Sequence, residues 1–168
     1  MKLHHFILAG FLGLVFSSCN LLGESESTPQ FDFRAMRIVD GDTTFVNFNH
    51  APFDTISVGD IIHFQTWMFS EFNNLQEFRI TPSRTGSVEF VWRPRNELDS
   101  VFTSASDYDR GIFVMPGTSP MLTFPFQYVA LEAYADLMLT FSVRNTGSQG
   151  YNTTARTIRT PIKKAETE

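Results

Sequence analysis

"LMLTFSVRN", residues 137–145, decides the fold. Leu137, Leu139, Phe141 and Val143 fall on one side of an extended chain, and Met138, Thr140, Ser142 and Arg144 on the other. A period of two with one apolar side describes a strand with one face in a core and one in water. "NTGSQGYN" (145–152) follows as a turn, and "TTARTIRTPI" (153–162) reads as the last strand. The same alternation recurs upstream. "FDFRA" (31–35) sets Phe31, Phe33 and Ala35 together, and "TTFVNFNH" (43–50) is a short second run. "ISVGD" (56–60) is a turn signal that opens "IIHFQTWMF" (61–69). There Ile62, Phe64, Thr66 and Met68 share a face, with Ile61, His63, Gln65, Trp67 and Phe69 opposite. "LQEFRI" (75–80) aligns Phe78 and Ile80, and "SVEFVWR" (87–93) aligns Val88, Phe90 and Trp92. "GIFVMPG" (111–117) is a short apolar run, and "MLTFPFQY" (121–128) aligns Leu122, Phe124, Phe126 and Tyr128. Pro125 within that run predicts an edge or a bulge, because proline cannot donate to a ladder. About eight or nine short strands separated by turn signals predict an all-β antiparallel sandwich, with an open barrel as the alternative. The one helical rival is "ALEAYADLM" (130–138), read as a single helical turn in a crossover loop.

Composition agrees with a folded domain. The chain has 168 residues, 42% hydrophobic and 18% charged, which is globular rather than disordered. Its 18 phenylalanines favour strands. The net charge is −5 and no basic block occurs, so nucleic acid is not an expected partner.

The N-terminus carries a different signal. Lys2 precedes "FILAGFLGLVF" (6–16), an apolar run of 11 residues. A helix that crosses hydrocarbon needs about 20 residues, so this run has the length of a secretory h-region instead. Ser17 and Ser18 follow, then Cys19, the chain's only cysteine. "FLGLVFSSCN" (11–20) resembles the signal and lipobox of a bacterial lipoprotein, in the loose "SSC" form of Bacteroidota. The resemblance implies cleavage before Cys19, a thioether-linked diacylglycerol on its sulfur and an acylated, palmitate-type N-terminus. The alternatives are an ordinary secretory signal with a stray cysteine, or an uncleaved anchor. "NLLGESESTPQ" (20–30) reads as a flexible tether. Asn20 after the cysteine is not aspartate, which by the common sorting rule implies the outer membrane. The expected layout is a signal peptide at 1–18, lipidated cysteine and tether at 19–30, sandwich at 31–162 and polar tail at 163–168.

"ISVGDIIHFQ" (56–65) and "LMLTFSVRNTGSQGYNTTARTI" (137–158) resemble the second strand and last hairpin of bacterial immunoglobulin-like domains, of the PKD-like and cadherin-like kind found in Bacteroidota lipoproteins. The resemblance implies an Ig-like sandwich and transfers no functional residue. Asn145 stands where such domains often have aspartate, which speaks against calcium there.

No constellation names a reaction. Beyond the signal only His50 and His63 remain as histidines, in different segments, so no metal site is expected. Asp40 and Asp42 ("DGD") and Asp107 and Asp109 ("DYDRG") offer alternating carboxylates for calcium, but serve equally as turn residues. There is no Gly-x-Ser-x-Gly elbow and no phosphate-cradling glycine loop. Trp67 lies beside His63 and Gln65 and is either a sugar platform or covered by a loop or facing sheet. Tyr108, Tyr134 and Tyr151 lie in loop-like stretches and are further ligand-contact candidates. "DTT", "DTI" and "DSV" resemble the O-glycosylation motif of exported Bacteroidota proteins, which implies sugar on Thr43, Thr55 or Ser100 at the surface. The expected function is a non-enzymatic envelope lipoprotein without cofactor, held to the membrane by its lipid and binding a protein or glycan. The alternative is a small carbohydrate-active or hydrolytic module using Asp107 and Asp109 with Trp67.

Overall fold

The computed structural model describes residues 27–39, 41–147 and 152–165. It is an all-β sandwich of two antiparallel sheets, not closed into a barrel. The first sheet comprises β1 (Gln30–Val39), β2 (Asp42–Phe45), β4 (Ile61–Phe69), β6 (Val88–Val91) and β8 (Met121–Ala130), in the order β2-β1-β4-β8-β6. The second comprises β5 (Leu75–Pro82), β7 (Ile112–Val114), β9 (Met138–Asn145) and β10 (Thr153–Arg159), in the order β10-β9-β5-β7. The neighbour orders β1-β4-β8-β6 and β10-β9-β5 are those of the A-B-E-D and G-F-C sheets of an immunoglobulin-type sandwich. The chain reaches β6 before β7, so it changes sheet at every step from β5 to β9.

The alternation placed the core faces. Leu137, Leu139, Phe141 and Val143 are buried, as are Ile62, Phe64, Thr66 and Met68. Thr66 is tolerated there because its hydroxyl donates to the Phe124 carbonyl at 2.7 Å. Phenylalanines fill the space between the sheets: Phe31 and Phe141 lie 5.0 Å apart, and Phe64 stacks on Phe126 at 5.0 Å. Pro125 is opposite Gln65 on one side, whereas β6 ends at the Val91–Gln127 pair. Beyond that pair β8 is a local edge, where a residue without an N–H does no harm.

Two expectations are corrected. Residues 130–138 form no helix: β8 runs to Ala130, and Tyr134 makes an isolated bridge with Ile162. The helix is instead α1 (Arg95–Val101), entered at Pro94 and carrying the i,i+4 pairs Arg93–Glu97 and Arg95–Asp99. Seven residues with one buried position, Leu98, give no readable helical period. The segment read as the last strand, residues 153–162, is two strands. Pro161 interrupts it, and β11 (Ile162–Lys163) leaves the second sheet to pair in parallel with β3 (Ile56–Ser57).

The start of the body is tied to the last hairpin. Asn145 is fully buried; its Nδ2 donates to Ser70 Oγ at 2.8 Å and to the Ser27 carbonyl at 3.1 Å. Its Oδ1 accepts from the Gly147 N–H at 2.9 Å. Thr154 donates its hydroxyl to the Pro29 carbonyl. Chain order inside the body thus begins before Phe31.

Candidate functional site

A cleft lies where the sandwich opens, beside the edge strands β6 and β7. Both are short, so the sheets do not cover each other there. The connection from β6 to β7 carries α1 and a 3-10 turn at Tyr108–Arg110, and it walls one side. The result is a cleft of about 610 Å³ with Ile80, Val88, Phe90 and Trp92 at its base and Glu89, Asp109 and Arg110 around it. An apolar base with a few polar groups at the rim is the usual make-up of a ligand site of this size.

Trp92 closes the inner end. Its ring stacks on Phe90 at 5.1 Å and meets Phe113 edge-on at 5.0 Å, while Nε1 donates to the Tyr108 carbonyl at 3.1 Å. The turn behind it needs a glycine. Gly111 has φ +65°, and a Cβ there would lie 2.5 Å from the Ile80 carbonyl oxygen. That close approach lets Ile80 N–H donate to Gly111 O at 3.0 Å and brings the turn onto β5.

A second hollow, of about 550 Å³, lies on the outer face of the first sheet among Met36, His63, Gln65, Val91 and Gln127. Trp92 borders it as well, so one tryptophan separates two concavities.

The predicted residues are scattered. Trp67 is half-buried on the outer face of β4, opposite Asp32 and Thr123, and Arg34 lies over its ring at 5.4 Å. It lines neither hollow, and it is on the other sheet from Ile112, with which Asp107 forms an isolated bridge. Asp107 accepts from the Arg110 N–H at 3.2 Å and so caps the turn. Asp109 is exposed and borders the cleft. Tyr108 is buried. Its hydroxyl donates to Asp99 Oδ1 at 3.1 Å, and the Arg95 guanidinium sits 4.2 Å from the ring. Burial first, and Asp99 second, push its phenol up. Tyr134 is half-buried, with Arg84 over its ring at 5.0 Å. Thr43, Thr55 and Ser100 are all exposed; Ser100 donates to the Glu97 carbonyl. Asp42 is exposed at the start of β2, and His50 is exposed in the following loop. Cys19, Asp40 and Tyr151 lie outside the described residues. Among the described residues, no three His, Cys, Asp or Glu side chains come together to hold a metal ion.

The alignment of Trp92 with Val88 and Phe90 in the sequence assigns it to the core. That is half of its role. The signal for the other half was the short β6: a strand ending at Val91 leaves the next aromatic at a rim. No protein-family model matches this chain, and comparison with curated proteins finds none similar to it.

Proposed function

We propose that the protein is a non-enzymatic envelope lipoprotein, anchored through Cys19, whose sandwich binds a protein or glycan in the cleft beside β6 and β7. The observation that carries the anchor is the coincidence of the only cysteine with the end of an 11-residue apolar run. Several acyl chains on such a cysteine give stable attachment where one chain would not. The cleft supports the binding role by its volume and its aromatic base. Cys19→Ala should move the protein from the membrane to the soluble fraction of lysed cells. If the variant sediments with membranes as the wild type does, the anchor reading fails.

The glycan form of this reading has its own support, because two carboxylates, Glu89 and Asp109, border the cleft beside Trp92. Sugar sites often combine an aromatic surface with acceptors for hydroxyl groups. A glycan array probed with the wild type and with a Glu89→Gln/Asp109→Asn variant tests it. Both changes are at exposed positions, so folding should survive. Glycan signal lost in the double variant supports the sugar, whereas silence from both proteins leaves a protein partner. The hydrolytic version built on Trp67 with Asp107 and Asp109 is not favoured, since these residues border no common hollow.

A further inference from the structure

We infer that the tether end of the sandwich rests on the bilayer, with Phe69, Phe72 and Met121 in its interfacial layer. This rests on the anchor proposed above. Phe69 and Met121 are directly opposite in the β4–β8 ladder, on the outer face, and are 41% and 62% exposed. Phe72 follows in the loop after β4 and is 62% exposed. That loop is held to the start of β8 by Ser70 N–H to Pro120 O and Leu75 N–H to Ser119 O, both at 2.8 Å.

The anchor leads to this place. The Ser27 carbonyl accepts from Asn145 Nδ2, which also donates to Ser70 Oγ. The chain therefore enters the body two hydrogen bonds from the residue between Phe69 and the Phe72 loop. Seven residues, Asn20 to Glu26, separate Ser27 from Cys19. Eight steps of chain, however arranged, reach at most about 28 Å. A lipid at Cys19 thus keeps this end near the headgroups at high effective concentration. Aromatic and methionine side chains gain there by leaving water. Attraction to anionic lipid does not contribute. Residues 20–30, 69–74 and 117–121 contain no Lys or Arg, and Glu71 is exposed within them. Contact should accordingly resist salt.

The test uses full-length protein, purified after processing and reconstituted into vesicles of phosphatidylethanolamine and phosphatidylglycerol. Phe72→Cys and Met121→Cys each add one thiol for a bimane label. Phe45→Cys, at a position 65% exposed beside the opposite end of β1, is the control. The labels at 72 and 121 should show blue-shifted emission, quenching by doxyl lipid and several-fold weaker iodide quenching than the label at 45, unchanged in high salt. Wild-type protein should take no label, because the thioether to diacylglycerol blocks the Cys19 thiol. If it labels and floats free of the vesicles, the anchor reading fails and the docking falls with it. If it stays bound and unlabelled while all three probes are equally open to iodide, the docking alone is overturned.

Discussion

Tyr128 shows what a single buried group contributes. Its ring is fully buried against Phe64 and Phe90, and its hydroxyl makes one long contact, 3.4 Å to Thr160 Oγ1. Burial disfavours the phenolate and pushes the phenol up to about 12; the Thr160 contact offsets only part of this. The folded state thus holds its proton above the ordinary pKa near 10. The associated stability is complete below about pH 10 and is lost as pH rises to about 12. Two pH units at about 1.4 kcal/mol each amount to about 2–3 kcal/mol. Tyr128→Phe should cost less than about 1.5 kcal/mol at pH 7, because the ring stays and one weak hydrogen bond goes. It should also flatten the alkaline fall in stability. Urea melts of both proteins between pH 7 and pH 11.5 measure this, and equal alkaline slopes would refute it.

At the scale of the element, β9 is the clearest strand in the sequence and the best supported in the structure. It lies between β5 and β10, and its inward residues meet both sheets. Phe141 touches Phe31 and Phe33 across the sandwich at 5.0 and 5.7 Å, and Phe78 beside it at 6.4 Å. Phe141→Ala should cost about 3–5 kcal/mol, since the ring's neighbours are held by two sheets and cannot collapse into the gap. A loss below about 1 kcal/mol in chemical denaturation would mean that the ring is not packed as described. Elements with a buried face of four alternating residues were legible in this way. α1 was not, because one buried leucine in seven residues leaves no period to read. β11 was hidden for another reason. Its pairing with β3 joins residues over a hundred positions apart, and no local pattern encodes that.

For the whole molecule, the boundary of the folded body is set by contacts between its two chain ends. Pro29 is buried, and Ser27 and Pro29 offer their carbonyls to Asn145 and Thr154 of the last hairpin. A chain that starts at Phe31 would leave the Asn145 amide short of an acceptor inside the protein. We expect residues 31–165 to be less stable than residues 27–165 by about 1–3 kcal/mol, the usual cost of unsatisfied buried polar groups. Equal thermal and urea midpoints would show that the N-terminal clasp contributes nothing. The sequence by itself determined the all-β class, which faces point inward and where the single cysteine lies. These are local properties, written in a period of two and in one apolar run. Only the tertiary structure decided that β6 and β7 are both edges, and that the cleft beside them is bordered by Trp92 with Glu89 and Asp109. It alone placed Trp67 on an outer face under Arg34, away from Asp107. A side chain's face follows from its immediate neighbours along the strand. Which distant residue stands beside it depends on the order of strands in the sheet, and that order is settled by packing the whole core at once.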